Sequence, residues 1–543
     1  MVTTALTYAN GPLHLGHMLE YIQVDIWHRS QKMAGREGYF VAGSDAHGTP
    51  IMLSAEKNQG SPEDLVKDFQ KKHHEDLKAF GIGVDTFGLT HDAPNQAMVN
   101  AIYQALQENE DIEQKSIWQL YDDQKNMFLP DRFIKGECPK CHALDQYGDN
   151  CEACGATYEP SELINPISVI SGAKPCQRES VHYFFRLDKY QDFLDQWLNA
   201  EHIPEKMLKK IKEWFKDGLK PWDISRDEPY FGFQIPGSDH KFFYVWLDAP
   251  VGYVSFFKTL CDERGMSFEE FWAPDSSTQL YHCMGKDVFY FHALFWPAML
   301  KGANMRLPSQ LWSHGFLTIN GEKMSKSRGT FILARDYLEH FHPDYFRYYM
   351  ACKLHSGVSD IDFNFEEFVQ RNNADLVGKF VNIASRCANF IHRFSEGKLA
   401  DHVDDPTLLQ HMMDAKISIA KHYENRDTHF AMQEIMALAD MANQYIDQHK
   451  PWAIAKETQD ASRIQAICSQ GIQMFRLLCI YLKPVITSVV AEAEKFLNIE
   501  PLDWNDVEQP MLSQTIGEFK PLLQRIQLDQ VKLLANENKQ VAT

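Results

Sequence analysis

Apolar positions along the chain switch between two periods. A short run from Val2 to Leu6 predicts a strand. Asn10-Gly11-Pro12 supplies turn chemistry, and Leu15, Met18, Leu19, Ile22 and Ile26 then recur at helical spacing, with a stop at Gly35. Tyr39-Phe40-Val41-Ala42-Gly43 predicts a second strand. Ser61-Pro62-Glu63-Asp64 opens a helix that runs to about Phe80, with Gly81 beyond it. Strand, helix and strand joined by a crossover of this length predict a parallel, right-handed unit. Ligands of such sheets bind at the carboxyl ends of the strands. From about 93 to 241 the rhythm is interrupted. The sheet is expected to resume with Phe242 to Pro250 and Tyr253, and then with Gln279 to Met284. A helix follows that carries Val288, Phe291, His292, Phe295 and Trp296. Phe316 to Ile319 ends at the hairpin dipeptide Asn320-Gly321. Beyond a connecting layer the chain reads as a helical bundle. Its first helix buries Leu376, Phe380, Ile383, Cys387, Phe390 and Phe394, and a later helix ends near His449.

Chemistry gathers at a few places in this pattern. Strand, turn and helix start at Thr7 to His17 leave backbone N–H groups pointing at an anion site. Gly16 leaves room for a close ligand, and His14 and His17 add donors one turn apart. Taken alone, the pair of histidines fits a capped helix equally well. Lys323-Met324-Ser325-Lys326-Ser327 lies between Gly321 and Gly329, and two lysines on a loop suit a developing pyrophosphate charge. Alone it reads as a solvated surface loop. Asp45 ends the second strand, placed to meet a cation or to make an Asx turn. Cys138-x-x-Cys141 and Cys151-x-x-Cys154 are separated by nine residues. Two such knuckles read as one tetrahedral zinc site of four thiolates, closed to water and therefore structural. Disulfides or a redox pair are the disfavoured alternative. Asn382, Arg386, Asn389 and Arg393 fall on one flank of the bundle's first helix, where a solvated edge is the ordinary reading. Trp452 follows Pro451 and is either a stacking platform or core.

Composition narrows the class. A chain of 543 residues is several domains. No apolar run approaches a membrane span, since Leu477 to Val490 is broken by Lys483-Pro484. The N-terminus shows no signal pattern, and four clustered plus seven scattered cysteines read as reduced thiols and a metal site, so a cytoplasmic protein is expected. Net charge of −20 excludes a nonspecific nucleic-acid binder, so any RNA must be met by local basic patches. There are no repeats.

His14-Leu15-Gly16-His17 and the lysine loop, in this order, resemble the two signatures of the class I aminoacyl-tRNA synthetases. Along essentially its whole length the chain resembles the methionyl-tRNA synthetases of the bacterial four-cysteine type. The resemblance implies a Rossmann-like α/β catalytic domain in two halves, 1–92 and 242–316, split by a zinc-binding connective peptide, 93–241. A lysine-loop and stem-contact region, 317–378, and an all-α anticodon-binding bundle, 379–543, follow. It implies that methionine and ATP give methionyl-adenylate and pyrophosphate, and that methionyl then passes to the terminal adenosine of initiator and elongator tRNA(Met). By resemblance His14, His17, Lys323 and Lys326 are catalytic. His14, Gly16, His17, Gly285, Asp287, His314, Gly315, Leu317 and Lys326 bind ATP. Leu6, Tyr8, Asp45, Arg226, Trp246, Ala249, Pro250, Tyr253, Val288 and His292 bind methionine. Asn382, Arg386, Pro451 and Trp452 meet the anticodon, Cys138, Cys141, Cys151 and Cys154 hold one structural Zn²⁺, and Mg²⁺ arrives with ATP. The insertion is too short for a large editing domain, so rejection of homocysteine would fall to the synthetic site. Two departures stand out: only six residues precede Thr7, which replaces a frequent proline, and no C-terminal tRNA-binding module follows, so a monomer is expected. The rivals are a cysteinyl synthetase, whose zinc would be catalytic, and an adaptor that has lost catalysis.

Overall fold

Strand β1 (Val2–Thr4) sits at the centre of a parallel sheet. β2 (Thr7–Tyr8) continues its line after a break at Ala5-Leu6, so the expected single strand to Leu6 is two short ones. α1 (Leu15–Met33) follows, with Ala34 as its C-cap and Gly35 at φ 74°. β3 (Phe40–Asp45) lies parallel to both β1 and β2. α2 (Thr49–Lys57) and α3 (Pro62–Ala79) come next, α3 capped by the Ser61 side chain. β4 (Thr86–Leu89) then pairs with β3. On the other side of β1 lie Tyr281–Gly285 and then Gln310–His314, both parallel. In sequence order this is the doubly wound arrangement 3-2-1-4-5, whose crevice opens where strand order reverses. The computed structural model describes residues 1–130, 133–148, 151, 153–154, 156, 158, 160–199, 201–216, 218–324 and 330–540, with side chains to 534.

The interruption has its own architecture. Helix α4 (Ala93–Glu108) opens the interval expected to be the insertion, yet Val99, Ile102, Tyr103 and Leu106 share a core with the helices Gly252–Arg264 and Trp296–Gly302 of the catalytic layer. After α4, Ile112–Asp122 pairs antiparallel with Cys176–Phe185, outside the parallel sheet. The cysteine segment is an excursion between these two strands, with a small core of Leu120, Phe133, Ile134 and Leu163.

The sheet does not resume at Phe242, contrary to expectation. Lys241–Phe243 pairs with Ser225–Asp227 in a separate two-stranded ribbon, and Val245–Asp248 is a turn of helix. The helix after Asp287 contains a π stretch, Phe291–Phe295, before Trp296–Gly302. A second π stretch, Asn372–Val381, precedes Asn382–Ser395. There Leu376, Phe380, Ile383 and Cys387 are buried as expected, while Phe390 and Phe394 are only half-buried.

Catalytic layer and helical bundle share one continuous core. At its centre the Arg347 side chain is fully buried. Its guanidinium donates to Asp25 Oδ2 at 2.6 Å, to the Val485 and Pro484 carbonyls at 2.7 and 3.0 Å, and to the Phe80 carbonyl at 3.4 Å. Replacing Arg347 by Met leaves these acceptors unanswered, and breaking a buried pair of this kind costs about 3–5 kcal/mol. The expected outcome for Arg347→Met is a loss of that size in urea unfolding; a change under about 1 kcal/mol would contradict it.

Candidate active site

The carboxyl ends of the sheet strands face one cavity of about 1050 Å³. His14 is the N-cap of α1: its Nδ1 accepts the His17 backbone N–H at 3.4 Å, and His17 Nδ1 accepts that of His14 at 3.2 Å. With its Nδ1 accepting, the neutral His17 ring carries its proton on Nε2. The rings stack 3.6 Å apart. Burial, helped by His14 and His73, holds His17 well below the usual imidazole range. The room at Gly16 serves this stack, since a Cβ there would come within 2.9 Å of the His14 ring.

Gly285, Asp287, His314, Gly315 and Leu317 line the same cavity. His314 meets Glu20 Oε2 at 2.9 Å and the Gly315 carbonyl at 2.8 Å. Burial pulls its pKa down, but Glu20 and that carbonyl outweigh burial and leave it raised. Glu20 Oε1 accepts the Ala5 N–H at 2.7 Å, which ties the break after β1 to α1. A Cβ on Gly315 would lie 2.2 Å from the Ser359 carbonyl oxygen, so glycine is required for this crossing. Lys323 is exposed at the rim, on a hairpin whose turn residues Asn320 and Gly321 both have positive φ. Lys326 lies outside the described residues, with Ser325, Ser327 and Gly329.

A side cavity of about 60 Å³ adjoins the large one at Asp45. Leu6, Asp45, Trp246, Ala249, Pro250, Tyr253, Val288 and His292 line it together, while Tyr8 and Arg226 line the large cavity. Trp246 stacks on Phe291 at 3.9 Å. The Tyr253 hydroxyl donates to His292 Nε2 at 3.0 Å, and His292 Nδ1 donates to the Val288 carbonyl at 3.2 Å. Burial lowers the His292 pKa to about 4, so the ring is a neutral polar tip in an apolar wall. Such a wall suits a polarizable thioether. Burial first, and Asp248 second, push the Asp45 carboxyl well above the usual carboxylate range. An ammonium ion placed there would reverse that shift. Arg226 lies over the Tyr244 ring at 3.7 Å and donates to the Ser225 carbonyl at 2.6 Å.

Elsewhere, the four cysteine sulfurs lie within 4.8 Å of one another, and no pair is oxidised. Cys138 and Cys154 Sγ are 3.9 Å apart, Cys141 and Cys151 Sγ 3.5 Å. A tetrahedron of sulfurs about 2.3 Å from a zinc ion has edges of about 3.8 Å, so the donor set fits. Backbone N–H groups of Lys140, Cys141 and Cys154 point at Cys138 and Cys151 sulfurs at 3.4 Å, as thiolates require. On the bundle, Asn382 Nδ2 and Arg386 Nη1 both donate to Asn443 Oδ1, at 3.2 and 3.5 Å. The Arg386 guanidinium pairs with Asp447 and lies 4.7 Å from the Trp452 ring. Pro451 is buried, but Trp452 is 39% exposed.

Residues 1–388 match the family model described as tRNA synthetases class I (M), and residues 398–519 match the anticodon binding domain of methionyl tRNA ligase. The chain belongs to the methionyl-tRNA synthetases. As a member of that family it activates methionine with ATP and charges tRNA. Its fold is that of Mycobacterium tuberculosis methionyl-tRNA synthetase. A structure of that enzyme in complex with methionyl-adenylate has a TM-score of 0.77 and 23% identity, covering 96% of this chain and 98% of its own. A second, bound by methionyl-adenylate, gives 0.79 at 22% identity, with coverage of 96% and 99%. The apo form gives 0.71 at 22% identity, with coverage of 97% and 98%.

Several groups in this methionyl-tRNA synthetase escaped the sequence reading. Phe291, Phe295 and Trp296 close the side cavity. Their spacing was legible, but not the π stretch over Phe291–Phe295 nor that this face meets a cavity. His47, fully buried, binds the Asp248 carboxylate through Nδ1 and meets His91 Nδ1 at 2.9 Å through Nε2. Below Arg226, His182 bridges Asp223 and Asp227 at 2.7 Å each. The raised Asp45 pKa gives a testable sign. An ammonium binds only the carboxylate form, so, with Asp45 as the expected ammonium partner, methionine affinity is predicted to be full above the free-enzyme pKa of Asp45 and to fall as pH drops through it. Asp45→Asn is expected to weaken methionine binding about 10- to 150-fold, the value of a hydrogen bond to a charged group, and to flatten this pH dependence. Calorimetric titration with methionine across the acid-to-neutral range checks both; an unchanged acid limb in the variant would refute the assignment.

Proposed function

We propose that the large cavity takes ATP and that the side cavity takes the methionine side chain. The observation that supports this reading is the convergence of four distant stretches at the sheet's switch point: residues 6–17, Asp45, 246–253 and 285–317. In this reading Leu6, Tyr8, Trp246, Ala249, Pro250, Tyr253, Val288 and His292 enclose the thioether. Asp45 holds the ammonium, and Arg226 is positioned beside it. Asp287 and the Gly285 backbone take the ribose, and the backbone from His314 to Leu317 takes adenine. The imidazoles of His14 and His17, with the α1 N-terminus beyond Gly16, take phosphate oxygens. Lys323 and Lys326 take the departing pyrophosphate.

The methionine carboxylate attacks the α-phosphorus, and the bond to pyrophosphate breaks. The 2′- or 3′-hydroxyl of the terminal adenosine of tRNA then attacks the methionyl carbonyl and releases AMP. The first nucleophile is already ionised, so the protein's work is alignment and charge stabilisation. Mg²⁺ enters with ATP, where it offsets phosphate charge. We assign the four-cysteine cluster one structural Zn²⁺. We further propose residues 379–543 as the anticodon-binding domain, reading both initiator and elongator tRNA(Met) with Asn382, Arg386, Pro451 and Trp452. The working enzyme is a cytoplasmic monomer.

Two experiments test the parts separately. Cys151→Ser is expected to lose bound zinc and to unfold the insertion, with activity falling as a consequence; a parental protein that contains no zinc defeats the assignment. Trp452→Ala is expected to spare methionine-dependent ATP–pyrophosphate exchange and to lower tRNA charging by about one to two orders of magnitude. That is the effect of removing one stacked base, about 1–3 kcal/mol. Equal losses in both reactions, with a lowered melting temperature, would mean that Trp452 serves packing.

A further inference from the structure

The chain carries 54 basic against 74 acidic residues, so a patch of opposite sign is conspicuous. Between 205 and 220 there are six lysines, Lys206, Lys209, Lys210, Lys212, Lys216 and Lys220, and three acids, Glu205, Glu213 and Asp217. Helix Glu205–Ile211 turns Met207 and Ile211 into the core and leaves Lys206, Lys209 and Lys210 on its outer face. Lys209 pairs with Glu205 and Lys212 with Asp195, whereas Lys206 and Lys210 meet no carboxylate among the described residues. The patch has a fixed place. The His202 carbonyl accepts the Leu311 N–H at 2.7 Å, which docks the helix on the outermost strand of the catalytic sheet. One end faces the segment after Pro343–Ala351, where His355 feels the Lys206 ammonium besides burial and His429. The other end carries Trp214, 47% exposed and stacked on Tyr290 at 5.3 Å and 20°. Tyr290 stands two residues after Val288, which lines both cavities.

We propose that this ridge is the surface on which the acceptor end of tRNA lies. Its lysines take successive phosphates, and Trp214 takes a base of the single-stranded 3′ end as it turns toward the cavity. Phosphate neutralisation supplies affinity without sequence readout, and an exposed indole backed by a second ring stacks any base. Charge complementarity selects the occupant. An acidic protein would meet the same lysines but would give the indole no base to stack on. The proposal rests on the assignment of the cavities to the reaction, and pyrophosphate exchange reads that assignment independently of tRNA.

The test uses the full-length enzyme with two RNA probes, an acceptor minihelix ending in a single-stranded 3′ tail and an anticodon stem-loop. The double variant Lys206→Glu, Lys210→Glu is expected to weaken minihelix binding and to reduce its salt slope by about two. Stem-loop affinity, pyrophosphate exchange and melting temperature are expected to stay unchanged. Trp214→Ala is expected to weaken the minihelix about five- to hundredfold, with Trp214→Phe recovering most of the loss. The proposal is overturned if minihelix affinity and the tRNA KM in charging are unchanged in the lysine variant, or if both RNAs weaken alike. Should Trp214→Ala melt early, the lysine variant decides alone.

Discussion

A guanidinium cannot be deprotonated, so wherever Arg347 is buried its charge and its N–H donors must be answered. The answers come from Asp25 on α1, from the carbonyl of Phe80 after α3, and from the carbonyls of Pro484 and Val485 in the bundle. Asp25 is in turn shared with Arg29 at 2.8 Å and with the Gly83 N–H at 2.8 Å. Burial alone would raise Asp25, but Arg29 and Arg347 hold it below the usual carboxylate range, so the pair is ionised in the folded protein. Moving the bundle relative to α1 would strand a charge in the core. The cluster therefore fixes the distance between the N-terminus of α1, with its stacked histidines, and the helices that carry Arg386 and Trp452.

A second constraint follows from the split sheet. Asp45 ends β3, in the first half of the catalytic layer, whereas Trp246, Ala249 and Pro250 come after the insertion. The His47–Asp248 bond joins these parts across 201 residues of sequence. The Tyr8 hydroxyl adds a bond to the His47 carbonyl at 2.7 Å, and Gly48 N–H bonds to the Phe231 carbonyl at 2.9 Å. The insertion itself contributes from below, since the chain Lys241–Asp227–His182–Asp223 lies under Arg226. The side cavity thus depends on buried polar bonds between segments that meet only in the folded state.

This explains which features were legible in the sequence. Helix ends at Ser61 and Gly81, the turn at Asn320-Gly321 and the cysteine knuckles were read correctly, because each is settled by residues a few positions apart. Lys326 aside, which lies outside the described residues, the residues expected around methionine and ATP do line adjoining cavities, but the family motifs carried that expectation, not the periodicity. Local patterning failed where a partner had to be chosen. Phe242 and Phe243 have strand character, yet they pair with Ser225 and Arg226 and leave the main sheet alone. Phe291 and Phe295 share one helix face, but nothing in that spacing says whether the face meets a cavity or the core; the other segments that line the cavity decide it. His47 and Asp248 carried no signal at all, since neither sits in a motif and their contact is long-range.

Charge at the phosphate end of the site is divided in a way that bears on rate. His17 is neutral, and its ring nitrogen Nδ1 is committed to the helix cap, so it can offer phosphate a dipole but no net charge. The cationic side chains at that end in the proposed assignment, Lys323 and Lys326, stand on the segment beyond the Asn320-Gly321 turn. A fixed cation would hold ATP and released pyrophosphate alike, and such uniform binding does not speed the chemical step. In the proposed assignment a neutral His17 on the helix end, with the lysines on a separate segment, would allow most of the charge stabilisation to be withheld until pyrophosphate departs. Rigidity is therefore placed where the substrate must be aligned, in the capped start of α1, while Lys323 stands on a hairpin paired with Thr318, outside the parallel catalytic sheet.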